Sequence, residues 1–419
     1  MRRLLLLLSA VALALWTLVG GASAASAAGE TISGVIKTGP EGVPNVTINV
    51  SDEEGFAQTV TTDDKGKWKV EVPGPGTYTV LLDTATLPEG VALTNPDRTS
   101  ATVIVGKGQS KSVLFPTGEA NTTTESKWDQ ALQLGFGGVV FGLTIALAAV
   151  GLSLIFGTTG LTNFSHGELV TFGALVAYFF NNLLGLPFLI AGAGAVLAGA
   201  LFGYLQDRLF WRWLRKRGTG LIAMLVISIG LGIFLRYVYL FIFGGSTRQY
   251  ASFNGQAGIA IGPIDATPKA LIGAGIAIVM LAGTVAWLRL TRIGKASRAI
   301  ADNPPLASAS GIDVNRVVSI IWMAGAALAA LAGVIYSLSN GVSWIEGFNL
   351  LLLIFAGVTL GGLGTATGAI LGSIIVGTMI QLSTLIIPSE LKNVGALAVL
   401  IIILMIRPQG ILGRSERVG

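Results

Sequence analysis

Residues 163–168 read Asn-Phe-Ser-His-Gly-Glu and contain His166, the only histidine among 419 residues. An imidazole two positions before a carboxylate has the residue types for general acid–base work, with His166 moving a proton and Glu168 orienting it. Neither a nucleophile nor a metal-ligand set accompanies the pair, so acyl transfer and metal-assisted hydrolysis lack their parts. The rival use is structural. Asn163 and Ser165 are residue types that hydrogen-bond nearby backbone and interrupt a helix. Glycines at 151, 157, 160, 167 and 173 permit close packing around them. Irregular backbone at membrane depth survives only where protein or a water-filled cavity covers it. The stretch is therefore either a polar turn at a membrane face or a structured joint inside a bundle. In the second case Asn163, Ser165, His166, Gly167 and Glu168 belong to a translocation path or its joint.

The composition calls for a membrane. The chain is 52% hydrophobic and 12% charged, with a mean hydropathy of +0.73, too apolar for a soluble enzyme. It has no cysteine, which excludes disulfides and Cys-ligated metals. One histidine excludes a His-rich metal site, so neither a metal nor a cofactor is expected. The charge divides unevenly. Residues 28–127 hold 13 acidic and 8 basic side chains, and residues 128–419 hold 9 acidic and 17 basic ones. An acidic part and a basic, apolar part belong in different surroundings.

Four segments follow. Residues 1–28 begin with Arg2 and Arg3, run apolar, and end in small residues at Ala22-Ser23-Ala24 and Ala25-Ser26-Ala27, which reads as a cleaved secretory signal peptide, with an uncleaved anchor as the alternative. Residues 29–116 alternate in character over short runs separated by Gly- and Pro-rich turns, which predicts an extracytoplasmic antiparallel β-sandwich. Asp52, Glu53 and Glu54 there read as a solvated turn, with a cation site as the alternative. Residues 117–127 read as a polar linker. Residues 128–419 read as a polytopic α-helical bundle of about nine spans, placed at 130–155, 168–184, 187–207, 220–243, 269–288, 317–338, 348–366, 368–387 and 394–407. The basic stretches 208–217, 289–316 and 407–419 take 13 of the 17 basic residues of this segment. They should face the cytoplasm, and a secreted N-terminus followed by nine crossings puts the C-terminus there too.

Two further motifs stand out. In 289–316, Ile293, Ala296 and Ile300 share one helical face, and Asn303-Pro304-Pro305 ends that helix before a second short one that stops at Gly311. Residues 358–377 are glycine-rich, with Gly361, Gly362 and Gly364 in a span able to bend, and they loosely echo the stretch around His166. Internal repeats with discontinuous helices are common in transporters. No phosphate-binding loop occurs, so the chain has no ATP site of that kind. Glu168 and Asp207 fall near span ends, and Arg236 lies close enough to an outer end to snorkel. On that reading no acidic residue sits inside a span, as ion-coupled transport would favour.

The stretch "GLSLIFGTTGLTNFSHGELVTFGALVAY" resembles the N-x-[AS]-H-G-[DE] signature of bacterial ABC importer permeases for branched-chain amino acids, with Asn163, His166, Gly167 and Glu168 matching position by position. The basic loop 291–318, "LGGLGTATGAILG" and the terminal "RPQGILG" extend the resemblance over most of 128–414. Residues 34–80 resemble the carboxypeptidase regulatory-like (transthyretin-like) β-sandwich through Gly42-Val43-Pro44, Thr62-Asp63 before Gly66 and Trp68, and the turn from Pro73 to Tyr78. The permease resemblance implies a cell-membrane importer subunit that performs no catalysis. It would work with separate ATP-binding subunits, a second permease subunit and an extracytoplasmic substrate-binding protein, and bind no nucleic acid. It implies branched-chain amino acids as substrate, with urea or a short amide as the alternative. Arg298, Ala299, Ala307 and Gly311 would couple to the ATPase. The reading from another class is a stand-alone secondary transporter or channel.

In this cysteine-free chain, single cysteines introduced at Ser246 and Ser389 should react with a membrane-impermeant maleimide on intact cells, and one at Ser308 should not. Labelling at Ser308 from outside would overturn the expected orientation.

Overall fold

A computed structural model describes residues 30–38, 41–52, 55–88, 91–93, 99–105, 110–115, 117–118, 126–251, 258–387, 394, 398, 401, 405 and 410–412. The expected signal peptide, Glu53, Glu54 and most of the span expected at 394–407 lie outside these residues. The chain divides into two compact units, Met1–Thr124 and Glu125–Gly419.

The first unit contains seven principal strands among its described residues: β1 (Thr31–Val35), β2 (Thr47–Asp52), β3 (Ala57–Thr61), β4 (Lys67–Glu71), β5 (Gly76–Leu82), β6 (Ser100–Val105) and β7 (Ser110–Leu114). One sheet has the order β3-β2-β5-β6 and the other β7-β1-β4. Period-two alternation decides which side chains turn inward. Trp68 and Val70 of β4 and Tyr78, Val80 and Leu82 of β5 join Ile32, Ile48 and Val50 in one apolar core drawn from both sheets. A Cβ on Gly34 would lie 2.6 Å from the Trp68 indole nitrogen, so only glycine leaves room there for the ring. The expected Thr62-Asp63 turn is held by side chains. Thr62 Oγ1 accepts from Val46 N–H at 2.9 Å and donates to the Val43 carbonyl at 2.7 Å. Asp63 accepts from the amides of Lys65 and Lys67, and the Lys67 bond holds its carboxyl below the usual carboxylate range. Asp52 accepts from Phe56 N–H at 2.8 Å, closing its own turn. The expected all-antiparallel pairing is corrected at one place, since β1 and β7 run parallel.

The second unit is helical: α1 (Lys127–Thr159), α2 (His166–Tyr178), α3 (Phe188–Gln206), α4 (Arg212–Lys216), α5 (Leu221–Phe243), α6 (Pro268–Leu290), α7 (Arg292–Asp302), α8 (Pro304–Ala309), α9 (Val314–Asn340), α10 (Glu346–Gly361) and α11 (Ala366–Ser383). A π-turn at Asp207–Trp211 joins α3 and α4 into one apolar rod, Phe188–Lys216. Among the described residues, six helices are long and apolar enough to cross a membrane: α1, that rod, α5, α6, α9 and α11. The spans expected at 168–184 and 348–366 are different. The first is a 13-residue helix followed by a π-turn at Phe179–Leu183, and the second is a 16-residue helix. Both helices begin two residues before the expected span and stop short of its expected end, at Tyr178 and Gly361.

Packing inside the bundle rests on small residues. A Cβ on Gly151 of α1 would strike the Gly325 carbonyl of α9, and one on Gly325 would lie 2.9 Å from the Gly151 carbonyl oxygen. Gly167 of α2 and Gly347 of α10 obstruct each other in the same reciprocal way. Both α1–break–α2 and α9–break–α10 consist of a long helix, a break (160–165 and 341–345) and a short helix with a glutamate in its first turn, Glu168 or Glu346.

Substituting Gly167 with Ala should lower the thermal midpoint of the solubilised chain, as overpacking against backbone costs about 1–3 kcal/mol. Gly275→Ala on α6, where a Cβ would meet no atom within 4 Å, should be neutral or stabilising by up to about 1 kcal/mol. Equal loss at both sites would contradict the crossing.

Candidate functional site

Helix α1 ends where Gly160 takes the left-handed conformation at φ 67°, which glycine adopts without steric cost. The chain then turns back into the bundle. Asn163 Oδ1 accepts from the amide of Ser165 at 3.1 Å and from its hydroxyl at 2.7 Å. The Phe164 amide donates to Ser228 Oγ on α5 at 2.9 Å, and the Phe164 ring lies 4.8 Å from that of Phe355 on α10. His166 opens α2 and is fully buried, with its Nε2 2.9 Å from the carbonyl oxygen of Ala148. A carbonyl only accepts, so that nitrogen carries the proton. Ala148 lies eleven residues before the end of α1, about 17 Å along the axis at 1.5 Å per residue. Of the two sequence readings, the geometry is that of a broken helix inside the bundle.

Glu168, two residues further on, is 1% exposed. Its Oε1 is 3.1 Å from both Nε and a terminal nitrogen of Arg236 on α5. The Arg236 guanidinium lies over the Phe348 ring at 3.8 Å, and Tyr239 donates to the Glu168 backbone carbonyl at 3.2 Å. Beside it, Glu346 accepts from Ser337 Oγ at 2.9 Å on both carboxylate oxygens and from Ser343 N–H at 3.3 Å. The Gly347 amide donates to Thr171 Oγ1 of α2 at 3.0 Å. Two short helices thus begin against one another, each with a carboxylate in its first turn, where the helix dipole favours negative charge.

This arrangement separates the two residues that an acid–base reading would pair. His166 is engaged with Ala148, and Glu168 with Arg236. One sequence expectation changes. Arg236 does not snorkel but turns inward, because a buried carboxylate without a cation is costly. Glu168 is buried with it. Asp207 is fully buried at the π-turn, bound to Arg215 at 2.5 Å and to Ser319 Oγ at 2.6 Å, with Arg212 at 3.7 Å. Buried acidic residues therefore exist in the helical unit. Glu346, Arg236, Ser337 and Thr171 were missed. The available signal was Glu346-Gly347 before an apolar run, matching His166-Gly167-Glu168 in type.

The remaining candidates lie elsewhere. Gly361 packs on the backbone of Gly368, Gly362 caps α10 at φ 111°, and Gly364 lies against Gly157. They sit at the far end of α10 from Glu346, about 23 Å along the axis. There the chain's Ile411 and Leu412 amides donate to the Leu360 and Gly361 carbonyls at 2.7 and 3.0 Å. In the basic loop, Thr291 caps α7 and Asn303 caps α8 through their side chains. The Arg298 guanidinium donates to the Leu288 carbonyl. Ala299 is half-buried, Ala307 is buried, and Gly311 takes φ 85° with open space around it. Helix α8 exposes Pro304, Pro305 and Leu306, the last by 63%.

A sequence-family model described as branched-chain amino acid transport system / permease component matches residues 135–405. The chain is 35% identical over 299 residues to the high-affinity branched-chain amino acid transport system permease protein LivH of Escherichia coli, covering 68% of this chain and 96% of that protein. It is 30% identical over 311 residues to BraD of Pseudomonas aeruginosa, again covering 68% and 96%. It is 24% identical over 296 residues to LivM of Salmonella typhimurium, covering 64% and 67%. No solved structure matches. The family match begins after the β-rich unit.

Removing one partner of the buried pair strands the other. Glu168→Leu or Arg236→Leu alone should cost about 3–5 kcal/mol, and the double substitution should cost far less than the sum of the two. Thermal unfolding of the three variants and the parent chain measures the coupling, and additive losses would show that the pair is not energetically linked.

Proposed function

This chain belongs to the family of permease components of branched-chain amino acid transport systems, and on that premise we propose that it is the permease subunit of an ABC importer for branched-chain amino acids. The observation that carries the reading is the family match over 135–405, together with 35% identity across 96% of LivH. The geometry supports it. Two short helices begin inside the bundle, beside backbone that is not helical, which is how many transporters build a path between repeats. The similarity to both LivH and LivM supports a second permease as partner. Separate ATP-binding subunits supply the energy and an extracytoplasmic binding protein supplies the substrate. The subunit itself catalyses nothing.

The rest of the organisation follows in the same proposal. The signal peptide 1–28 is cleaved, 29–116 forms an extracytoplasmic sandwich, 117–127 links it, and 128–419 crosses the membrane nine times and ends in the cytoplasm. Two of those crossings use the short helices α2 and α10, and the last uses residues 394–407. Asn163, Ser165, His166, Gly167 and Glu168 form the joint of the path, with Glu346 as its counterpart. Gly361, Gly362 and Gly364 close the far end of α10. The α7–α8 element docks on the ATPase through its exposed apolar tip, and Arg298, Ala299, Ala307 and Gly311 fix its shape.

Reconstituted with its ATP-binding subunits, second permease and binding protein, the chain should import leucine only with ATP. Gly311→Leu forces a side chain onto a left-handed backbone position and should leave the subunit assembled in the membrane while cutting ATP-driven uptake at least tenfold. Leucine transport by the chain alone would favour the stand-alone transporter. Normal uptake in Gly311→Leu would remove the docking role of α7–α8.

A further inference from the structure

Between α1, α6 and α11 lies a groove of about 510 Å³, within the usual range of small-molecule sites. Leu143 of α1 and Ile370 of α11 form one wall. The other is α6, from Ile278 through Ala282 to Arg289 and Leu290. The wall is apolar along its length and carries a cation at one end only. Arg289 has no ion-pair or hydrogen-bond partner among the described residues, and Leu290 beside it is 78% exposed.

The dimensions select the occupant. From Ile278 to Leu290 is twelve residues, about 18 Å of helix. Half of a hydrocarbon core of about 30 Å is about 15 Å. The groove therefore spans one leaflet, starting near the bilayer centre and ending at the level of the headgroups. A docked transmembrane helix would need a groove through both leaflets. An acyl chain needs one leaflet, and it brings a phosphate to the end where Arg289 stands. Arg292, Lys295 and Arg298 follow on α7, so the basic field continues past the rim, as juxtamembrane clusters that attract anionic lipid do.

We propose that this groove is a specific site for an anionic phospholipid, with one acyl chain along α6 between Leu143 and Ile370 and the phosphate on Arg289. The site rests on the membrane orientation given above only for its leaflet, which is then the cytoplasmic one. Its readout is lipid binding, so it stands or falls separately from leucine uptake.

The test uses the full chain in phosphatidylcholine nanodiscs containing a small fraction of phosphatidylglycerol that bears a diazirine at the acyl-chain end. Photolysis should label peptides containing Leu143 and Ile278. Excess unlabelled phosphatidylglycerol should suppress the signal, and added phosphatidylcholine should not. Arg289→Gln should reduce labelling about tenfold, as when one charge-assisted contact to phosphate is lost. Ala282→Trp, which fills the groove and keeps the arginine, should abolish it without lowering the chain's thermal midpoint. Three results would overturn the site: labelling no higher here than on the exposed face of α5 at Ile222 and Phe241, equal competition by phosphatidylcholine, or no labelling because residues 394–407 or a second permease cover the groove.

Discussion

Inside a bilayer each backbone N–H and C=O must find its partner within the protein, since hydrocarbon offers none. The polar stretch after α1 meets that demand in an unusual place. Between Gly160 and His166 no helix supplies the bonds, so side chains do. Asn163 takes the Ser165 amide, Ser228 takes the Phe164 amide, and His166 reaches the Ala148 carbonyl. The two residues that resembled an acid–base pair belong to this satisfaction of backbone. The same demand recurs at α10, where Thr171 takes the Gly347 amide and Glu346 takes that of Ser343.

Covering the breaks requires the elements around them to come close, and glycine makes that possible. Gly151 against Gly325, and Gly167 against Gly347, bring backbone onto backbone at crossings where any Cβ would collide. Helix association in lipid draws on packing and hydrogen bonds, because apolar side chains gain nothing by leaving lipid for one another. A closer approach increases both. The same kind of contact therefore recurs at both breaks. What repeats is small residues at crossings and a carboxylate at each helix start.

Helix α5 shows the same economy. It faces outward over most of its surface, with Ile222 82% and Phe241 77% exposed. Its polar ties to the rest of the bundle are Ser228 to Phe164, Arg236 to Glu168, and Tyr239 to the Glu168 carbonyl, and each of them meets the joint. A helix tied mainly through such contacts is positioned by geometry more than by buried area.

The sequence by itself determined the class of the chain. Long apolar runs dictate helices in a membrane, the alternating runs before residue 116 dictate strands, and the motif around His166 with the later glycine-rich and terminal motifs marks the permease family. These features are local in the chain, so they can be read without a fold. It also marked Asn163 to Glu168 as one site, because residues so near in sequence stay near in space. Only the tertiary structure decided what each side chain does. Arg236 is 68 residues from Glu168, Gly347 is 180 from Gly167 and Ser228 is 64 from Phe164, and no local pattern encodes such pairings. Whether the break lies at a membrane face or within the bundle turned on the bond from His166 to Ala148, a contact across helices. The count of long helices turned on where α2 and α10 end, at Tyr178 and Gly361. Hydropathy does not report that, because a buried break and a helical turn can be equally apolar in sequence while differing in which backbone groups are paired.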